Sequence, residues 1–202
     1  MHIPEPLPLG RRSTPFDHPE WIYELKYDGF RAMAVIEKGQ CRFLSPNLHP
    51  LGGFDELSRG VLTEIKTSEA IFDGELAVAN EDGRCDFPAM MQGRRAEARY
   101  FAFDLLFDIG QDLRHVPLST RKRRLHSLLQ RRSVHIVYVD HVIGCGEKLF
   151  DLVTRLDLEG IVAKRADSLY ITDEINPPWL TIQNKSYSQN DGRANLFTND
   201  TR

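Results

Sequence analysis

Three apolar-alternating runs, Trp21–Leu25, Arg31–Glu37 and Gln40–Leu44, follow one another across the dipeptides Asp28-Gly29 and Lys38-Gly39. A glycine-containing pair between alternating runs is a hairpin turn, because the chain must reverse there through backbone angles that glycine reaches without a steric penalty. The N-terminal part is thereby committed to antiparallel sheet. Further strands are expected over Ile71–Ala79, Tyr100–Phe107, Val134–Val139, Ile161–Arg165 and Trp179–Gln183. Helical spacing appears in Phe54–Ile65, through Phe54, Leu57, Val61, Leu62 and Ile65, and again in Glu147–Leu156. Ser119–Gln130 follows a proline and places Leu125, Leu128 and Leu129 on one side of a basic helix. Strands outnumber helices and tight turns join many of them, which implies one α+β domain of largely antiparallel sheets flanked by helices. A body over residues 1–187 is expected, opening with an extended Pro- and Arg-rich arm (1–18), with a polar, frayed tail over 188–202.

A net charge of −3 excludes an all-over basic nucleic-acid binder, so any contact with DNA has to come from a local patch. No apolar run approaches the ~20 residues of a membrane span, and the first residues lack the apolar stretch of a secretory signal. Cys41, Cys85 and Cys145 form no CxxC pair and read as free thiols of a bacterial-type cytosol. The seven histidines show no metal-ligand spacing.

Glu24-Leu25-Lys26-Tyr27-Asp28-Gly29-Phe30-Arg31 carries the most chemistry. A strand enters the turn and another leaves it, so Lys26 and Arg31 flank one reversal. Lys26 and Asp28 share a face if the strand persists that far. A lysine beside a permanent cation is biased toward the neutral amine that a nucleophile needs. The bland alternative is a charged hairpin tip. In Phe72-Asp73-Gly74-Glu75-Leu76, Asp73 and Glu75 fall on one strand face and Phe72, Leu76 and Val78 on the other. Gly74 is expected to let a ligand approach the backbone. In Tyr100–Phe107, strict alternation turns Phe101, Phe103, Leu105 and Phe107 the same way.

Glu-x-Lys-x-Asp-Gly-x-Arg resembles the nucleophile motif of the covalent nucleotidyltransferases: DNA ligases, RNA ligases and mRNA capping enzymes. Phe72–Leu76, Phe103-Asp104-Leu105 and Glu159-Gly160-Ile161-Val162-Ala163-Lys164 follow in that family's order at similar separations, and the likeness is greatest to bacterial proteins consisting of a ligase adenylation domain alone. The resemblance implies an ATP-grasp-like nucleotidyltransferase fold. It also implies ATP as AMP donor, Mg²⁺ or Mn²⁺, and Lys26 as the residue that bonds to AMP. By the same resemblance Arg31 contacts the ribose, Glu24 holds the adenine edge, Glu75 is the catalytic glutamate, and Phe103 and Val162 cover the two adenine faces. Glu159, with Asp28, would hold the metal, and Lys164 would face the phosphates. Nicked DNA is the implied partner of a monomer, with an accessory DNA-repair protein supplying the clamp.

Two departures stand out. The family's last motif, Trp-φ-Lys-φ-Lys (φ apolar), here reads Trp179-Leu180-Thr181-Ile182-Gln183, with Lys185 two residues on. Ser45-Pro46-Asn47-Leu48 replaces the usual Ser-Arg-Asn-Gly, and Gly52-Gly53 is expected to restore the turn. With three cations missing, a non-catalytic nucleotide or nick binder is the alternative, and an RNA-end ligase is a further one. The run Arg121–Arg124 with Arg131-Arg132 is expected to be a solvated helix face or a DNA contact, and Arg94-Arg95 a second candidate DNA contact.

Overall fold

The computed structural model describes residues 2–80, 84–129, 133–172 and 177–189. The alternating runs form two sheets. The first has the order β1 (Gly10–Arg11), β11 (Trp179–Gln183), β10 (Gly160–Arg165), β2 (Trp21–Leu25), β9 (His141–Ile143). The second has the order β4 (Gln40–Leu44), β3 (Phe30–Glu37), β5 (Ala70–Val78), β6 (Ala98–Asp108), β7 (Gln111–Asp112), with β8 (Ile136–Tyr138) also paired to β6. Apart from the parallel pairs β1–β11 and β6–β8, all ladders are antiparallel. Short turns join β3 to β4 and β6 to β7, but Asp28-Gly29 is not the expected hairpin turn: β2 and β3 do not pair, and the chain crosses there from one sheet to the other.

Between the sheets lies a core of Leu7, Ile22, Met33, Val35, Ile71, Leu106 and Trp179. The outer face of the second sheet packs Phe72, Leu76 and Tyr100 against Leu57 and Val61 of α1 (Asp55–Glu64) and Met90 of α2 (Phe87–Met91). The outer face of the first sheet, with Tyr23, Ile161, Ala163 and Ile182, packs on Val153 of α4 (Gly146–Arg155). The arm is part of this body: Leu7 is fully buried, its N–H donates to Tyr170 Oη at 2.9 Å, and Gly10–Arg11 pairs with β11. Residues 190–202 of the expected tail lie outside the described residues, but its start is anchored. Ser188 donates to Asp157, and Gln189 Nε2 donates to Cys85 O.

Several local expectations are corrected. The turn after β4 is not restored by Gly52-Gly53; Leu48 itself takes a positive φ of 60°, and Leu48 N–H donates to Ser45 O. Period-two alternation fails in β6, where the register against β5 shifts twice. Phe101 and Phe103 share the inner side as the alternation implies, and Phe107 packs in one cluster with Phe103, but Phe103 is passed over in the register between Ala102 and Asp104 and Leu105 packs into the outer core. Such bulges re-aim side chains.

Gly74 faces the outer core rather than a ligand. A Cβ there would lie 2.5 Å from Tyr100 Cζ and 2.6 Å from Phe101 O. Tyr100 has no room to retreat, since its hydroxyl donates to Ala32 O at 2.9 Å and accepts from Ala34 N–H at 3.3 Å. Gly74→Ala is expected to destabilise the fold by about 1–3 kcal/mol through overpacking. A urea titration should show the lower midpoint, and an unchanged midpoint would contradict this packing.

The helix α3 (Leu118–Leu128) gives the largest correction. Arg121 and Lys122 are both buried, not solvated and not facing DNA. Arg121 Nε donates to Asp104 Oδ1 at 2.8 Å and Nη2 to Oδ2 at 2.7 Å, while Nη1 donates to Ser168 O at 3.0 Å. Arg124 donates to Asp108, Arg123 is exposed, and Arg131-Arg132 lie outside the described residues. Arg94 pairs with Glu97 and Asp86, and Arg95 donates to Gly52 O, so both surface arginines already have protein partners.

Candidate active site

The two sheets part at one end around a cleft lined by residues of both. Glu24, Lys26, Val162, Lys164 and Trp179 come from or adjoin the first sheet, and Arg31, Glu75 and Phe103 come from the second. Residues far apart in the chain meet here because β2 and β10 pair antiparallel, setting Val162 against Glu24, while β3 and β5 set Glu75 against Arg31.

Lys26 follows the last residue of β2, and its N–H donates to Gly160 O at 3.0 Å. Gly160, at φ +154°, allows this crossing; a Cβ would come within 2.3 Å of Ile182 O. It opens β10 rather than ending a helix, since α4 stops at Arg155. Lys26 Nζ donates to Glu159 Oε1 at 2.6 Å. The neighbour of the amine is therefore a carboxylate and not Arg31. Arg31 is turned away: Nε and Nη2 donate to Asp73 Oδ1 and Oδ2 at 3.2 and 2.8 Å, and Nη1 donates to Leu7 O at 2.8 Å. Tyr170 Oη donates to the same Asp73 at 2.6 Å. Asp73 is thus occupied in positioning Arg31, and Glu75 alone of the strand's two carboxylates faces the cleft.

Asp28 does not extend the strand face of Lys26, because β2 ends at Leu25. It lies buried in a smaller adjoining cleft with Lys26, Glu159, Cys85 and Tyr187, and accepts from Tyr187 Oη at 3.4 Å. Two carboxylates flanking the amine suit a hard divalent ion that keeps several waters, the habit of Mg²⁺ and Mn²⁺.

The other end of the cleft is a buried charge network. Glu24 accepts from Lys122 Nζ, which also donates to Val139 O at 2.8 Å. Lys164 Nζ lies 2.6 Å from the second Glu24 oxygen and over the rings of Phe103 and Trp179, 4.1 and 3.9 Å from their centroids. Burial would raise the Glu24 carboxyl, but the two lysines outweigh it and hold it below its ordinary value. Burial pushes Lys164 down to about 8, against the pull of Glu24. Lys164 therefore sits at the Glu24–Phe103 end, not beside Lys26. Lys122 was missed as a site residue, although its spacing from Leu118 and Leu125 puts it on the helix's inner stripe.

Burial pushes the Glu75 carboxyl up to about 8, against Lys26 and Arg31, which lower it, and with Glu159 and Asp73 adding to the rise. A folded value above the ordinary 4.5 means that this group's stability contribution is fully present below about pH 4.5 and is lost as pH rises through about 8. Glu75→Gln, neutral at every pH, should lie close to wild type at pH 5 and melt higher at pH 9, by about 2–4 °C for each kcal/mol that ionising Glu75 costs the fold. Thermal melts at both pH values check this; an equal difference at both would contradict it.

A divided α+β body with a lysine at the mouth of a cleft between its sheets is the arrangement of a nucleotidyltransferase. A sequence model described as ATP dependent DNA ligase domain matches residues 13–182, and the chain belongs to that family. It is 34% identical over 169 residues to the multifunctional non-homologous end joining protein LigD of Pseudomonas aeruginosa, covering 81% of this chain and 20% of that protein. It is 29% identical over 190 residues to the SPbeta prophage-derived DNA ligase-like protein LigB of Bacillus subtilis, covering 91% of this chain and 68% of the relative. The chain thus spans about a fifth of the LigD relative's length. Among solved structures, a mycobacterial DNA ligase D complexed with ATP and MES superposes with a TM-score of 0.74 at 22% identity, over 88% of this chain and 59% of that one. That likeness places the fold. No described helix is long and apolar enough to cross a membrane, and Cys41, Cys85 and Cys145 are free thiols.

Proposed function

We propose that this chain performs ATP-dependent adenylyl transfer for polynucleotide ligation, with Lys26 as nucleophile. The nitrogen lone pair of Lys26 attacks the α-phosphorus of ATP, the bond to the bridging oxygen breaks, and pyrophosphate departs, leaving AMP on the lysine through a P–N bond. AMP then passes to the 5′-phosphate at a DNA nick. The adjoining 3′-hydroxyl attacks that phosphorus and expels AMP.

The observation that carries this reading is the placement of Lys26 Nζ where the cleft of Glu24, Arg31, Glu75, Phe103 and Val162 meets the smaller cleft of Asp28 and Glu159. Glu159 Oε1, at 2.6 Å, is placed to take the proton that the amine must lose. Phe103 and Val162 offer apolar walls for adenine, with Glu24 and Lys164 at its edge. Stacking on such a ring contributes roughly 0.5–1.5 kcal/mol beyond area burial. Arg31, pinned by Asp73, is preorganised for the ribose, with Glu75 opposite. A divalent ion held by Glu159 and Asp28 would offset charge on the phosphates. Nicked DNA, an accessory clamp protein, a monomeric state and a cytosolic location belong to the same reading; buried thiols at Cys41 and Cys85 suit a reducing compartment.

The test uses ATP labelled at the α- or the γ-phosphate with Mg²⁺, followed by denaturing electrophoresis. The α-label should stay on the chain, resist alkali and be released by acid, as a P–N bond is, and the γ-label should leave. Retention of γ-label, or no label, sinks the proposal. Thr181, Gln183 and Pro46 favour a second reading, a non-catalytic nucleotide or nick binder; α-labelling followed by nick sealing would exclude it.

A further inference from the structure

The last motif carries Thr181 and Gln183 where its family carries lysines, yet β11 is bordered by the N-terminal strand β1. Register lines up Glu24 of β2, Val162 of β10, Thr181 of β11 and Arg11 of β1 in one cross-strand row. Residues paired across neighbouring strands project from the same sheet face. Arg11 therefore stands on the nucleotide side, two strand spacings, or ~10 Å, from Val162. The adjoining row runs from Lys26 through Gly160 to Gln183. Leu9, two residues before Arg11, lines the nucleotide cleft itself.

Arg11, Arg12, Ser13, Thr181, Gln183 and Lys185 line a second, more open cleft beside it. Three of these six are cations and none is acidic, so the cleft favours an anion. Arg12 is engaged, its Nε donating to Thr14 O and its guanidinium lying 4.4 Å from the Phe16 ring centroid. Arg11 makes no side-chain hydrogen bond or ion pair among the described residues. Thr181 is 8% exposed, and its Oγ1 has no hydrogen-bond partner among the described residues. A buried hydroxyl without a partner is costly and points to a ligand that supplies one.

We propose that Arg11 supplies the phosphate-side cation that the last motif lacks, binding the triphosphate tail of the nucleotide with the Thr181 hydroxyl as a neutral donor beside it. The charge has moved one strand outward, from β11 to β1. This rests on the adenylation reading above, and the test separates the two.

ATP and AMP affinities are measured by calorimetry in a Lys26→Arg background, where no covalent bond forms and Glu159 keeps a cationic partner. Arg11→Gln should weaken ATP roughly ten- to a hundredfold, the range of a charge-assisted contact, and change AMP by less than about twofold. Arg11→Lys, which keeps the charge, should retain most of the ATP affinity. In otherwise unaltered protein, Arg11→Gln should slow α-labelling, and adding Thr181→Lys with Gln183→Lys should restore it. Unchanged ATP affinity in Arg11→Gln overturns the proposal, including the case where nicked-DNA binding falls instead. An equal loss in Arg11→Lys overturns it as well. Absence of any label from wild type defeats the adenylation reading and this proposal with it, whereas labelling that is indifferent to Arg11 defeats this proposal alone.

Discussion

Asp104→Ala should lower the stability of the fold by about 3–5 kcal/mol, enough to move the melting temperature by about 6–20 °C in a domain of this size. Asp104 and Arg121 are both fully buried and joined by two hydrogen bonds. Removing the carboxylate leaves a guanidinium that cannot shed its charge, in an interior that cannot solvate it. The reverse change is gentler. Arg121→Met with Asp104→Leu removes both charges and should recover more than half of the loss, though the carbonyls of Val116 and Ser168, which Arg121 now satisfies, would lose their donor. Chemical denaturation of the single and double variants checks both statements. A cost below about 1 kcal/mol for Asp104→Ala would mean that the pair is solvated after all.

Lys26→Arg should fold as wild type does and lose AMP transfer by on the order of a thousandfold or more, because a group that stays protonated has no lone pair to offer. Arginine is more informative than alanine at this position. It keeps a cation beside Glu159, which is almost fully buried, whereas Lys26→Ala strands that carboxylate and mixes a folding defect with a chemical one. ATP affinity in Lys26→Arg is expected to stay within about tenfold of wild type, since positive charge next to the phosphates is preserved. Substantial transfer by the arginine variant would leave Lys26 a charge contact and require another nucleophile.

Much of the fold was legible in the residues. Period-two runs located most of the long strands, and Trp179–Gln183 begins and ends where its alternation does. The rest depended on pairing between distant segments. No local pattern announces the two register shifts that break the alternation and turn Leu105 outward. The short β9 lies on the edge of a sheet and needs little apolar character. The five-residue α2 carried a readable sign that was passed over: Asp86 caps it by accepting from Ala89 N–H at 2.9 Å, and Pro88 stands in its first turn. For Arg121 and Lys122, position in the helix outweighs charge. They lie three and four residues after Leu118, and four and three before Leu125, on the stripe that a helix turns inward.

The candidate site divides the same way. Motif spacing named the charged side chains that line the two clefts, from Glu24 and Lys26 to Glu159 and Lys164. It did not show how they hold one another. Asp73 grips Arg31, Lys122 reaches Glu24 from helix α3, and Lys164 turns toward the aromatic rings, all through contacts that only the assembled fold creates.

Under the adenylation proposal, one nitrogen of this chain bonds to the α-phosphorus of ATP. Mass analysis of the intact protein after incubation with ATP and Mg²⁺, then fragmentation of the peptide containing Glu24-Leu25-Lys26-Tyr27, tests it most directly. A single AMP adduct is expected, and fragmentation should place it on Lys26. An adduct on any other residue, or an unmodified chain under conditions where ATP binds, would contradict it.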